Sequence, residues 1–580
     1  MRRRTSLAAA TAIGTVWALT ACGIPTGRGP DVIGDAPTDF DESSGVNPQS
    51  YGPTEDAQDT VLNFYKAAAG DPASRDDRLH RFTASGDEQF SVPSEGMLLV
   101  DDLDLTLSDP GDIYAATVTV TGSVVGSYLE DGSVRMQSTA GEYSETFTLQ
   151  REAVGEVWEV HAPPMQVVLD YDYFTASYEE APLYFQAGQA ELLVPDLRWI
   201  YSELNAEVRR RLLLEWLVLG PSDFAGQSAR NAMPTGTTGE TDEVDGTVQV
   251  ELTSGEEIDD AAADAIAAEV AWSLGLDERF VLTANGEERA AGRLMDWRGW
   301  NAIPVPADLP ETAYFIAEAT VWEYTSGGQV TATAAGHPWV GFTAEGLRQV
   351  AIGPNDQIAA IVAGSGGDSL QIGAATGTIS PVADVAGALA DPQWLDESTV
   401  IVIDDGVPTA VGTRAGGSVQ KLVAGGAVTA LALSADGRRL AYVEDGVAWA
   451  VPLRLDADGN ITAGEPKQIG IGIEDVSDVA WSSENFLWVA TRTDDNKLYN
   501  VAIDNSRIVP QEGTEAFPPI TQIAANPADP VDASVPRGEP VIIVADSTLY
   551  RVFTNGPDAV RNGETAVAGS APFTVLWSDE

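Results

Sequence analysis

Cysteine is almost missing from this 580-residue sequence: Cys22 is the only one. No disulfide can form within the chain, so each folded part has to stand on its own core. Histidine is scarce too. His80, His161 and His337 are the only three, and no two fall at metal-ligand spacing. No metal or cofactor site is expected. Lysine occurs only at Lys66, Lys421, Lys467 and Lys497, and 32 basic residues face 88 acidic ones, for a net charge of -56. A field of that sign repels DNA, RNA and anionic headgroups, so nucleic acid is not an expected partner. Beyond the first twenty residues no apolar run is long enough to cross a bilayer as a helix. What remains is ordinary for large globular domains: 44% hydrophobic and 21% charged residues.

The N-terminus carries Arg2-Arg3-Arg4, an apolar stretch from Leu7 to Ala18, and then Leu19-Thr20-Ala21-Cys22. A charged start, a short apolar stretch and small residues at the cut describe an export signal over residues 1–21. The lone cysteine stands where the lipobox of bacterial lipoproteins places one, and the segment resembles that motif. The resemblance implies a diacylglycerol on the Cys22 sulfur, an amide-linked palmitate-type chain, and attachment to the extracytoplasmic face of the cell membrane. Residues 22–52 are rich in Gly, Pro, Asp and Ser and read as a flexible tether.

Three folded parts follow, which makes the chain multidomain. In residues 53–165, Thr54 is the expected N-cap of a helix bearing Ala57, Val61, Phe64, Tyr65 and Ala68 at helical spacing. Strand-like alternation recurs at Leu103–Leu107, Thr117–Thr121, Phe147–Leu149 and Val157–Val160. One helix on an antiparallel meander is an α+β domain. Residues 166–305 read as strands at Leu183-Tyr184-Phe185 and Leu192–Pro195, then a helix from about Trp199 to Leu219. That helix places Leu204, Val208, Leu212, Trp216 and Leu219 on one face and stops at Gly220-Pro221. A strand at Val248–Leu252, an alanine-rich helix from Ile258 to Leu274 and a strand at Phe280–Leu282 complete a central α/β domain.

From residue 306 to 580 the helical signal disappears. Pairs of short strands around Asp-Gly-type turns recur at a spacing of roughly 40 residues, the pattern of β-propeller blades. Leu431–Leu433 with Leu440–Val443, and Val479–Trp481 with Phe486–Val489, are the clearest copies. At least five blades can be counted, and six or seven would fit. Phe573–Trp577 is the expected strand that closes the ring.

Signals for catalysis are poor. Gly367-Asp368-Ser369-Leu370 spells a lipase and esterase string, but no histidine base follows His337, and a serine without a base is inert. Gly364–Asp368 is expected to be a hairpin loop instead. Asp456-Ala457-Asp458-Gly459-Asn460 has the wrong spacing for a calcium loop and reads as a turn. A propeller glycosidase needs two carboxylates converging at the ring centre, and nothing in the sequence selects a pair. Arg209-Arg210-Arg211 is either a solvated helix face or a docking point for an acidic partner.

Leu183-Tyr184-Phe185, Leu193-Val194-Pro195, Arg198 and Leu219-Gly220-Pro221 resemble a GerMN domain. Taken with the lipobox, the Gly23-Ile24-Pro25 behind it, the N-terminal domain and the propeller, they resemble the actinobacterial LpqB lipoprotein family over essentially the whole chain. That resemblance implies a non-enzymatic lipoprotein with Cys22 as its lipidation site. It also implies a partner, the extracytoplasmic part of an MtrB-type sensor histidine kinase acting with the regulator MtrA, and a bearing on cell envelope and division. The other readings are a cell-wall glycan- or peptide-binding assembly factor and an exported propeller hydrolase.

Overall fold

The computed structural model describes residues 50–575 apart from residues 84–89, 91–95, 109–111, 165, 189, 304–311, 326–327, 334–336, 415–416, 424–425, 457, 494 and 532–540. Cys22 and almost all of the expected tether lie outside them.

The first helix runs Ala57–Ala67, and its cap is Asp56 rather than Thr54. The Asp56 carboxylate accepts from the main-chain N–H of Gln58 and Asp59. Thr54 lies two residues too early, and its hydroxyl donates to the Asp56 carbonyl instead. The helix lays Phe64 and Tyr65 edge-on against Phe147, inside a core that includes Phe82 and Val118. The sheet beneath runs in the order Glu159–Ala162, Val134–Gln150, Ala115–Tyr128, Met97–Ser108, Val168–Asp170. Its last strand is parallel to Met97–Ser108, so the sheet continues past the boundary expected at residue 165.

In the central domain the long helix starts at Ala206, not near Trp199. Trp199–Tyr201 is a strand paired with Tyr178–Glu180. Trp199, Ile200 and Tyr201 are all buried, and consecutive large apolar side chains suit a strand covered on both faces. Asn205 caps the helix by accepting from Val208 N–H. Its buried residues are Leu212, Leu213, Leu214, Trp216 and Leu217, whereas Leu219 is 71% exposed. Leu219 is the last helical residue before Gly220 at φ 97°, so the expected stripe ends one turn early. A sheet in the order Thr238–Val244, Thr247–Thr253, Phe280–Ala284, Glu287–Gly292 packs with this helix and with Asp260–Leu274. Both outer strands were illegible because Thr238–Val244 and Glu287–Arg289 carry mostly polar, exposed side chains.

The propeller has six blades of four or more strands among the described residues. Blade 1 combines Thr312–Ala317, Thr320–Thr325 and Val330–Thr331 with the distant Ser570–Phe573. Blades 2 to 6 follow in chain order and begin at Leu347, Leu389, Val428, Val476 and Ile520. The closing strand therefore lies a few residues earlier than the expected Phe573–Trp577, whose last two residues fall outside the described ones. Antiparallel pairing of Tyr314 with Phe573, ring on ring at 5.3 Å, joins the first and last parts of the ring. Asp405-Gly406 and Asp445-Gly446 turn two blade hairpins with φ of 48° and 79°, and 52° and 75°. Asp-Gly tolerates such a pair at little cost, and its twist matches the flanking strands.

The esterase-like string lies mainly in a strand. Gly367–Ala374 pairs with Gln357–Gly364, so the connecting turn is only Ser365-Gly366. Asp368 is paired with Arg348 at 3.2 Å, and the Ser369 hydroxyl faces the Val362 carbonyl. Asp456 closes the hairpin before Ile461–Ala463 by accepting from the N–H of Asp458 and Asn460.

Candidate functional site

The inner strand of each blade faces a central channel, and in blades 2 to 6 each inner strand contains an irregularity in register near its start. The irregularity turns one side chain toward the neighbouring blade. In blade 2 the carboxamide of Gln349 exchanges two hydrogen bonds with Asp391 of blade 3, one to its carboxylate at 2.7 Å and one from its N–H at 2.8 Å. The other Asp391 oxygen accepts from Leu431 N–H of blade 4. Asp478 of blade 5 accepts from Ile523 N–H of blade 6 at 2.8 Å. Gln522 of blade 6 accepts from Ala571 N–H of blade 1. Ala430 stands at the corresponding place in blade 4 and offers no acceptor.

These groups line a cavity of about 170 Å³ with Trp394 and Trp481 in its wall. Each indole N–H donates to a carbonyl of the preceding blade, Ala351 or Ala432. Ala302 of the central domain lines the same cavity, with Ser434, Ala435 and Pro527. Burial pushes the Asp391 carboxyl up to about 6. Burial, with Asp391 as a like charge, holds the Asp478 carboxyl well above its usual range. Two carboxylates thus do share the channel. Each has both oxygens engaged by N–H donors, which suits them to clasp blades. Among the described residues no cluster of three His, Cys, Asp or Glu side chains is placed to hold a metal.

A second polar centre joins the domains. Trp199 is fully buried. Its main-chain N–H donates to Gly132 of the N-terminal domain at 2.8 Å, and its indole N–H to Asp504 of blade 5 at 2.8 Å. The Arg507 guanidinium covers its ring at 4.3 Å and bonds the carbonyls of Thr175 and Tyr178. Tyr171 donates to the Ser506 carbonyl. Glu484 of blade 5 accepts from Tyr184 at 2.6 Å and from Asn301, both of the central domain. Burial pushes the Glu484 carboxyl up, against those two hydrogen bonds. Arg439 of blade 4 pairs with Asp436, donates to the Glu484 carbonyl and lies over Trp481. Arg198, also fully buried, reaches Asp196 at 2.9 Å and Asp131 of the N-terminal domain at 3.6 Å. A continuous apolar core runs from the N-terminal domain into blades 4 and 5.

The residues singled out from sequence are scattered around these centres. Cys22 lies outside the described residues. His80 packs on Phe90, and His337 on Trp339. The basic run is committed within the chain: Arg209 to Glu179, Arg210 to Glu243 and Glu278, Arg211 to Glu215 and Asp71. All three are half-buried, with their guanidinium groups engaged by carboxylates of the chain itself. Sequence reasoning missed Asp391 and Asp478. A signal was available, because Gln349, Asp391, Asp478 and Gln522 each follow the start of a blade by only two residues.

Comparison with known proteins matches residues 52–175 to the N-terminal domain of lipoprotein LpqB and residues 326–535 to the LpqB β-propeller domain. Residues 182–290 match a domain of sporulation and spore germination proteins. Relatives include Lipoprotein LpqB of Corynebacterium jeikeium, 26% identical over 81% of this chain and 82% of that one. Lipoprotein LpqB of Rhodococcus opacus is 26% identical over 97% and 96%, and that of Mycobacterium tuberculosis 25% over 81% and 84%. Solved structures similar to the chain include a luciferin-regenerating enzyme, at TM-score 0.29 and 14% identity over 45% of this chain and 91% of that one. Another is a virginiamycin B lyase from Staphylococcus aureus, at TM-score 0.31 and 9% identity over 46% and 90%. Likeness at that level says nothing about activity. The two LpqB models together span more than half of the sequence, relatives named Lipoprotein LpqB align with up to 97% of it, and the chain belongs to the LpqB lipoprotein family.

Proposed function

We propose that the chain is a lipid-anchored protein of the extracytoplasmic face that binds the outer part of a sensor histidine kinase of the MtrAB type, tunes its signalling and catalyses nothing. The observation that carries this reading is the junction at Trp199, Arg198 and Glu484, which locks three domains into one body. A binding protein that must favour one state of its partner benefits from such stiffness, since a coupled effect requires unequal affinity for the two states. The clasped carboxylates of the channel fit this reading better than an acid–base pair, because all their oxygens already hold N–H donors, most of them from neighbouring blades.

The anchor is tested by Cys22→Ser, which should leave an uncut precursor or release the protein from membranes. Correctly cut protein still fractionating with membranes would refute it. The partner is tested by titrating the protein against the reconstituted kinase. Phosphorylation should change and saturate with binding. Binding without any change would leave a scaffold, and hydrolysis of a wall glycan without binding would favour the enzyme.

A further inference from the structure

The N-terminal sheet is long and is held at one end only. Its strand Ala115–Tyr128 has 14 residues, a reach of roughly 45 Å at about 3.3 Å per residue. At the end near Tyr128, the turn at Asp131 and Gly132 is fixed to Arg198, Trp199 and Trp216 of the central domain. The opposite end carries two adjoining loops. Arg151 joins them, its main-chain N–H donating to the Tyr114 carbonyl and its side chain to that of Ile113, both at 3.0 Å. The Arg151 guanidinium covers Trp158 at 4.3 Å, and Trp158 is itself bonded to Thr54 and Glu55.

That end gathers exposed apolar side chains. Ile113 is 59% exposed and Val154 65%, with Tyr114, Val157 and Leu107 also exposed. Ile113, Tyr114, Val154 and Val157 lie on the two loops that Arg151 joins. Exposed apolar side chains gathered on adjoining loops mark a contact site. Asp112, Glu152 and Glu156 are exposed among them on the same two loops. Inserting these loops into a bilayer would drag three carboxylates toward hydrocarbon and anionic headgroups. A protein interface tolerates the arrangement, since it places apolar contacts centrally and leaves charges at a wet rim.

We propose that this tip is the surface on which the chain docks a folded protein whose contact face has an apolar centre ringed by arginine and lysine. The inference rests on the function proposed above, in which that protein is the outer region of the sensor kinase. The body of the molecule then stands away from the contact by the length of the sheet.

The test uses the full-length protein with Ile113, Tyr114, Val154 and Val157 all changed to Ser, and Leu219→Ser as a control at an exposed apolar site far from the tip. Binding to the purified outer region of the kinase should weaken by about tenfold or more in the fourfold variant, as for loss of a central contact cluster. The thermal midpoint should not move, and Leu219→Ser should bind as wild type does. Glu152→Lys with Glu156→Lys should slow association and reverse its salt dependence. If wild type binds and the fourfold variant binds equally well, the tip is not the docking surface, while the kinase reading stands. If wild type does not bind, the kinase reading fails and this inference fails with it. Sedimentation of wild type, but not the fourfold variant, with phosphatidylglycerol–phosphatidylcholine vesicles would overturn the proposal in favour of lipid contact.

Discussion

Asp391 ties acid–base behaviour to the closure of the ring. Its folded pKa of about 6 lies above the ordinary value of 3.8, mainly through burial. A carboxyl shifted that way contributes stability that is present below pH 4 and lost as pH rises through 6. The loss attributable to this site is about 1–3 kcal/mol at 1.4 kcal/mol per unit. Asp391→Asn should flatten the pH dependence of urea unfolding between pH 4 and 7. It also leaves one of the donors from Gln349 and Leu431 without its acceptor, so the slope, not the absolute stability, is the readout. An unchanged slope would mean that Asp391 titrates normally. Trp199 is the other residue with wide reach. Trp199→Ala should cost about 3–5 kcal/mol, as truncation of a buried tryptophan does, and chemical denaturation measures it.

At the scale of elements, the helix Ala206–Leu219 and the strand Ser570–Phe573 make separate demands. Trp216 is buried, and its ring lies so close to Gly132 that a Cβ there would meet it at 2.6 Å. Trp216→Ala should cost about 3–5 kcal/mol and loosen the root of the N-terminal sheet. Hydrogen exchange at residues 129–133 would show that loosening, and unchanged protection there would mean that Trp216 does not support the turn. Ending the chain after Gly569 removes the inner strand of blade 1 and bares an unpaired edge on Thr312–Ala317. Light scattering should then report aggregation on mild heating, and a truncated chain as soluble as the parent would argue against closure by that strand.

The same elements show what a sequence displays. Blades were legible because short apolar strands recur around tight turns such as Asp405-Gly406 and Asp445-Gly446, a local and repeated signal. The helix start at Ala206 was not legible, because a buried strand such as Trp199–Tyr201 and a helical face both read as dense apolar residues. The strand Thr238–Val244 was hidden for the opposite reason: it is held by a neighbour's main chain and displays polar side chains. The channel carboxylates share a recurrent position two residues into their blades, but their partners lie about forty residues away, so their roles emerged only once the ring had closed.

The whole molecule should unfold as one. A core shared by the N-terminal domain and blades 4 and 5 couples domains that would otherwise melt separately. Calorimetry of the full chain should give a single transition, and Trp199→Ala should split it. Two transitions in the wild type would show that the shared core is too weak to couple the domains.

Tyr51, the first large side chain of the fold, lies not at the free tip of the N-terminal sheet but against Tyr173 and Lys66 at its root. Tyr171 and Thr175, on the same short helix as Tyr173, are bonded to Ser506 and Arg507 in blade 5. Under the anchoring proposed above, load drawn through the residues before Tyr51 enters the fold beside blade 5 of the propeller. The long sheet hangs outside this load path, so its tip stays clear to engage while the root bears the tension.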